Sequence, residues 1–281
     1  MARTDGAWLR TLAGVTAGAD VMGAKLIAAS TARRRAGYLI ALFDRRTAVL
    51  EALLDGNHIT GMRTAATSAV AVDVLAPREP LRVAVVGSGF EAASHVAALA
   101  AVRPIARLTV FSPTEANRRR FAEEARSRHG VEARAAGSAE EAVRDADLVI
   151  AAARSRDETP TVRGAWLERA ATVVSVGSTL PEQRELDAEA LARAAAIVAD
   201  VPDEVATQTG DMLAAGAGAA QKVVSLTEAL DGAWRRPDGV VVYKSVGSAL
   251  QDLTVSRLCV RRARERGAGR FLGRLVEPVD K

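Results

Sequence analysis

Two hydrophobic periodicities divide the chain. From about Leu81 to Ala199, short apolar runs rich in β-branched residues alternate with stretches of helical spacing, a pattern that predicts a parallel sheet covered by helices. The runs at 82–86, 107–111, 147–152, 172–176 and 196–199 read as its strands. Between them, 92–102, 115–129, 139–144 and 187–194 carry the helical period, with crossovers expected to be right-handed. Ahead of this block the pattern changes. Segments 24–29, 38–44 and 48–54 are short strands between polar turns, and 61–75 is an uninterrupted helix of small residues that stops before Pro77. That order predicts an antiparallel sheet feeding a connecting helix. At the other end, Leu250, Leu253, Leu258 and Val260 space out a helix over 249–266, closed by Gly267, while the Ala/Gly-rich 214–220 reads as a loop or a closely packed turn.

The sharpest local signal is Leu81-Arg82-Val83-Ala84-Val85-Val86-Gly87-Ser88-Gly89-Phe90-Glu91-Ala92, where a strand breaks into Gly-x-Gly-x-x-Ala and a helix begins. In a dinucleotide-binding unit the first glycine allows the tight turn and the second lets backbone approach a pyrophosphate. The small third position lets the helix lie against the strand. Gly87, Ser88, Gly89, Phe90, Glu91 and Ala92 are therefore expected cofactor contacts, with the helix amides facing the phosphates. The next strand ends Val110-Phe111-Ser112-Pro113-Thr114, with no acid placed to receive the ribose hydroxyls. Ser112, Thr114, Arg118 and Arg119 are placed to receive a 2′-phosphate, which favours NADP(H) over NAD(H). The alternative is that the arginines only coat the helix.

Composition narrows the class. A chain of 281 residues with 49% hydrophobic and 26% charged residues has material for a large core and two domains. The net charge of +4 comes from scattered arginine, with clusters at 33–35, 118–120 and 261–262. Aromatic residues are 4% and do not interleave with those clusters, so a solvated arginine face is favoured over a nucleic-acid surface. No apolar run reaches the roughly 18 residues of a membrane span, and no signal-peptide order opens the chain, which leaves the cytoplasm as the expected compartment. Cys259 reads as a buried thiol. His58 and His95 lack the spacing of metal ligands, so no metal is expected.

The stretch from Asp55 to Ala69, DGNHITGMRTAATSA, sets Arg63 among small residues near a helix start, where a guanidinium could clamp a carboxylate or simply form an ion pair. This stretch, with the strand-turn-helix about twenty residues on, resembles the ornithine cyclodeaminase/mu-crystallin family. Three further blocks fit it in order: Gly23-Ala24-Lys25-Leu26-Ile27, Arg184-Glu185-Leu186-Asp187, and Lys244-Ser245-Val246-Gly247-Ser248-Ala249-Leu250-Gln251-Asp252-Leu253. The resemblance implies an α/β fold: a Rossmann-type doubly wound parallel sheet (79–248) inserted between the N- and C-terminal parts (1–78 and 249–281) of a smaller α+β substrate-binding and dimerisation domain. It further implies a homodimer with paired N-terminal sheets. Lys25 matches a catalytic lysine near the substrate carboxylate and reaction centre, Arg63 a carboxylate-binding arginine, and Asp187 an acid that moves protons at the substrate amine. Taken alone, Lys25 reads as a strand-edge lysine and Asp187 as a helix N-cap. Asp252 either caps the last helix or faces the nicotinamide. Family members usually begin further upstream with another arginine for the carboxylate, and Arg3 stands at a suitable distance before Lys25; the shortened start reflects either a misjudged start site or a trimmed pocket. His58 is expected to line the pocket, and Arg63, Thr64, Gly177 and Ser178 to touch the cofactor. Arg154 departs from a threonine-rich turn usual in the family. Three activities stay open: an NAD(P)-dependent oxidoreductase acting at the C–N bond of an amino or imino acid, an ornithine cyclodeaminase recycling its cofactor, and a non-catalytic binder of NADPH and a small acid.

Overall fold

A computed structural model describes residues 1–18, 20–33, 35–153, 159–167 and 171–279. Arg154 lies outside these residues. The chain opens with strands β1 (Ala2–Thr4), β2 (Ala7–Val15), β3 (Val21–Ser30), β4 (Arg35–Asp44) and β5 (Leu50–Asp55), followed by helix α1 (Gly56–Leu75). An alternating block follows: β6 (Leu81–Val86), α2 (Phe90–Val102), β7 (Ile105–Phe111), α3 (Glu115–His129), β8 (Ala133–Ala135), α4 (Ala139–Val143), β9 (Leu148–Ala151), β10 (Thr172–Ser175), α5 (Ala188–Arg193) and β11 (Ala194–Ala199). The remainder comprises α6 (Pro202–Gln208), α7 (Gly210–Ala215), α8 (Ala217–Ala220), β12 (Val223–Ser225), α9 (Leu226–Leu230), β13 (Val240–Lys244) and α10 (Ala249–Glu265).

Two compact units result, one of Met1–Arg63 with Ser248–Lys281 and one of Thr64–Gly247. In the first, β1 to β5 form an antiparallel meander in chain order. Gly14 and Gly23 face each other across β2 and β3. A Cβ on Gly14 would come 3.0 Å from Ala249 Cβ, and one on Gly23 2.1 Å from Ala41 O and 3.0 Å from Leu253 Cδ2. This glycine pair is the trough that lets α10 lie close on the sheet. Ile40 and Leu42 from the sheet, Ile59 from α1, and Leu253 and Val260 from α10 form the apolar core there. The opposite face of the sheet stays open, with Leu9, Val15, Leu39 and Leu53 exposed.

In the second unit, the described strands form one parallel sheet in the order β12-β11-β13-β10-β9-β6-β7-β8. The chain runs outward from β6 through β7 to β8, then returns to place β9 on the other side of β6. That reversal is the topological switch point at which doubly wound sheets bind ligands. Strands β6, β9, β10 and β13 are buried almost throughout, as expected with helices on both faces.

All five predicted strands of this sheet are present, and β8, β12 and β13 are additional to them. Predicted bounds shift where local chemistry differs from the pattern. Segment 214–220 is not a loop: it holds the end of α7 and all of α8, broken by Gly216 at φ +78°. The helix predicted over 187–194 stops at Arg193, since Ala194 already belongs to β11. Ala48, at φ +56°, is excluded from β5, and α1 begins at Gly56 rather than Gly61.

Candidate functional site

In the first unit, Lys25, Arg63 and Asp252 form a buried charge cluster. Lys25 sits on β3 opposite Leu12 and Ile40, so strand alternation aims it at the face that α10 covers. Arg63 lies on the third turn of α1 and Asp252 in the first turn of α10. One Asp252 oxygen meets Arg63 Nε at 2.9 Å and the other meets Lys25 Nζ at 2.7 Å. The aspartate is 0% exposed, the lysine 1% and the arginine 6%. Arg63 also donates to Gln251 Oε1 at 3.1 Å, and Lys25 to Thr60 Oγ1 at 3.5 Å. Ser248, in a capping box with Gln251, caps α10; Asp252 is left to the cations.

Burial and the neighbouring Arg63 lower the Lys25 pKa from 10.5 to about 8, against the opposing pull of Asp252. Arg10 adds to the lowering. In the register Arg10 opposes Ile27 and Leu12 opposes Lys25, which puts Arg10 on the same face as Lys25 at a diagonal position. Arg3 lies on the edge strand opposite Trp8, further along the sheet. Arg10 is thus a cation that the sequence pattern missed, because β2 was not read as a strand. His58 is exposed in the first turn of α1.

In the second unit, the turn after β6 has the shape that a dinucleotide needs. Gly87 has φ +123°, and a Cβ there would lie 2.5 Å from Ala152 O, so only glycine fits the turn against the end of β9. A Cβ on Gly89 would meet nothing within 4 Å, which leaves open space over the start of α2. Gly89 is the N-cap of α2 and makes no side-chain cap bond, so Phe90, Glu91 and Ala92 open the helix at the end that anion-binding helices turn toward a phosphate. These residues fit a pyrophosphate. Ser88 Oγ donates to Ser112 Oγ at 2.9 Å, which ties the turn to the end of β7. Arg118 NH1 donates to Ser112 O at 3.0 Å and Pro113 O at 3.3 Å, and its guanidinium stacks over Phe111. Thr114 is the N-cap residue of α3. Arg119 instead turns outward into an exposed pair with Glu115.

Thr64 is buried on α1. Ser178 Oγ donates to Gln183 O at 2.9 Å, and Gly177 N to Glu185 Oε2 at 2.9 Å. Asp187 is the N-cap of α5, its Oδ1 accepting from Gly164 N at 2.9 Å and Ala190 N at 2.8 Å. Around the ends of β9, β10 and β13 lies a second buried polar group that sequence reasoning left without a role: Glu185, Ser175, Lys244 and Asp211. Among the described residues no group of His, Cys, Asp and Glu is arranged to hold a metal ion, and no described helix is long and apolar enough to cross a membrane.

A doubly wound sheet with a glycine turn at its switch point defines a dinucleotide-binding protein, and its other unit buries two cations on one carboxylate. The model of the ornithine cyclodeaminase/mu-crystallin family matches residues 4–267, and the chain belongs to that family. It is 32% identical to ketimine reductase mu-crystallin of Mus musculus over 222 residues, covering 78% of this chain and 67% of that one. Among solved structures, a probable ornithine cyclodeaminase from Bordetella pertussis Tohama I superposes with a TM-score of 0.84 at 32% identity, covering 95% of this chain and 86% of that one. Δ1-pyrroline-2-carboxylate reductase of Thermococcus litoralis, solved in complex with NADH and L-proline, gives 0.82 at 26% identity, covering 95% and 90%.

Proposed function

We propose that the protein is an NAD(P)H-dependent reductase of α-imino acids, converting a C=N bond beside a carboxylate into the corresponding amine. The observation that carries this reading is the buried cluster in which Asp252 is shared by Lys25 and Arg63. The three groups sum to a positive charge in a low-dielectric setting, which suits one more carboxylate. Arg63 is the planar donor for it, and Lys25 the adjustable point charge. The reduced nicotinamide, when bound, supplies the hydride. Lys25, with its pKa lowered to about 8, holds a proton for the developing amine. The net reaction takes up one proton with the hydride, so a lysine that exchanges protons near physiological pH is suited to it. The reductive direction gains support from the engagement of Asp187, the acid expected in cyclodeamination, by two backbone amides. The similarity to a ketimine reductase and a pyrroline-carboxylate reductase points the same way.

The test is oxidation of NADH or NADPH with Δ1-pyrroline-2-carboxylate against ornithine. Net cofactor oxidation by the imine supports the reading, and ammonia release from ornithine without net cofactor change overturns it.

The lysine also gives the reading a pH signature. A bound carboxylate favours the ammonium form, so affinity for L-proline is expected to hold below about pH 8 and to fall as pH rises through that value. Around pH 8 binding then takes up protons. Calorimetry in buffers of different ionisation enthalpy reads the uptake directly, and a buffer-independent enthalpy would remove Lys25 from the carboxylate site.

For the cofactor, NADP(H) is preferred in this reading. The reading is supported by Arg118, whose guanidinium is fastened to the main chain at Ser112 and Pro113 at the end of β7, and by the lack of an acid at the end of that strand in Phe111-Ser112-Pro113-Thr114. Arg118→Ala is expected to weaken NADPH by about tenfold and leave NADH within about twofold; equal losses for both would assign Arg118 a structural part. The open apolar face bearing Leu9, Leu39 and Leu53 suits pairing with a second copy, giving a homodimer.

A further inference from the structure

Glu185 is completely buried, and each of its oxygens is engaged. Oε1 accepts from Ala153 N at 3.1 Å, on the turn leaving β9. Oε2 accepts from Gly177 N at 2.9 Å and from Ser175 Oγ at 2.7 Å, on the turn leaving β10. Lys244 Nζ, at the end of β13, donates to Ser175 Oγ at 3.2 Å and pairs with Asp211 Oδ2 at 2.7 Å. Asp211 Oδ1 in turn accepts from Glu185 N at 2.8 Å. The carboxyl edges of three neighbouring parallel strands are thus tied together by one carboxylate and one ammonium. The same turn after β9 supplies Ala152 O, against which Gly87 packs. Glu185 therefore holds the residue next to the one against which the Gly87 turn packs. A Cβ on Gly177 would lie 2.4 Å from Glu185 Oε1, so the fit is close.

We propose that Glu185 is a positioning residue for the dinucleotide: its ionised carboxylate sets the spacing of the backbone at Ala153 and Gly177, just past β9 and β10, and its protonation loosens cofactor binding. The proposal rests on the reading that this edge binds a nicotinamide cofactor. The chemistry is a matter of donors and acceptors. Three donors converge on Glu185, and the ionised carboxylate offers only acceptors. A protonated carboxyl, or a glutamine, puts a donor on one oxygen's side and leaves a buried amide facing another donor. The groups that set the ionisation are within this cluster: burial and, to a smaller extent, Asp211 raise the pKa of Glu185, Lys244, the Gly177 amide and the Ser175 hydroxyl oppose that rise, and the net result is a value of about 7.

The experiment is NADH titration by fluorescence between about pH 5.5 and 7.5, a range in which NADH itself does not titrate, alongside amide hydrogen exchange of the cofactor-free protein. In the unaltered protein NADH affinity should fall as pH drops through about 7. Glu185→Gln should bind NADH about tenfold more weakly at pH 7.5, with a flat pH profile, and should exchange the Ala153 and Gly177 amides faster than the unaltered protein at the same pH. Because Lys244 keeps Asp211 as its counter-ion, the substitution leaves the cluster electrically balanced. Ser175→Ala is the second variant and is independent of whether the glutamine variant folds. It removes a bond that favours the ionised form, so the midpoint of the pH profile should move upward. A folded Glu185→Gln with unaltered NADH affinity and pH profile, or an unmoved midpoint in Ser175→Ala, overturns the proposal and leaves the cofactor reading intact. Failure of the unaltered protein to bind either nicotinamide overturns both.

Discussion

Asp252→Ala is expected to destabilise the protein by about 3–5 kcal/mol, the largest stability loss foreseen for any single charged side chain here. The carboxylate is 0% exposed and answers both Arg63 and Lys25. Its removal leaves two cations facing each other in a setting from which water is excluded. Arg63 cannot shed its proton, so relief has to come from Lys25, whose pKa is already down to about 8 with the aspartate in place. Urea or thermal unfolding followed at a wavelength sensitive to the first unit measures the effect. Adding Lys25→Met to Asp252→Ala should restore part of the loss, because the second buried charge is then gone and the methionine fills the same volume. A single variant within about 1 kcal/mol of the unaltered protein would mean that the cluster is hydrated and that the charge argument fails.

Arg63→Met is expected to lower kcat/KM for an α-imino acid by about a thousandfold while leaving NADH affinity unchanged. The guanidinium is held by Asp252 through Nε and by Gln251 through NH1, and that support fixes its plane before substrate arrives. A prepositioned donor contributes more than a mobile one, since its orientation costs nothing at the moment of reaction. Arg63→Lys should recover only part of the activity, for an ammonium lacks the paired donors that match a carboxylate. Steady-state kinetics together with NADH titration separate the outcomes. Parallel losses in NADH affinity and in kcat/KM would make Arg63 a cofactor or packing residue instead.

Much of the second unit was legible along the chain because its signals are local. A β-branched run, a glycine turn and a helix start occupy a dozen consecutive residues from Leu81 to Ala92, and each imposes its own backbone geometry whatever surrounds it. The φ of +123° at Gly87 is an instance. The family's blocks likewise named Lys25 and Arg63 from short stretches of sequence. The roles of the acids were not legible in this way. Asp187 stands before a helix start and caps it as the local pattern allowed. Asp252 stands in an equally suitable place, yet Ser248 caps that helix and the aspartate serves the cations. Nothing within a few residues of either one distinguishes the two cases.

The sequence by itself therefore determined the doubly wound sheet, the nucleotide turn at its switch point and the family to which the chain belongs, since all of these follow from periodicity, backbone preference and motif order over short spans. Only the tertiary structure decided which charges meet. Arg63 finds Asp252 across 189 positions of the chain, Lys244 finds Asp211 across 33, and Arg10 rather than Arg3 is brought to bear on Lys25 by the register of β2 on β3. β13 enters between β10 and β11, and so carries Lys244 to the brace built around Glu185. The physical reason is one of range. A turn or a cap is settled by atoms a few bonds apart, whereas a buried charge is tolerable only where the whole fold delivers its partner.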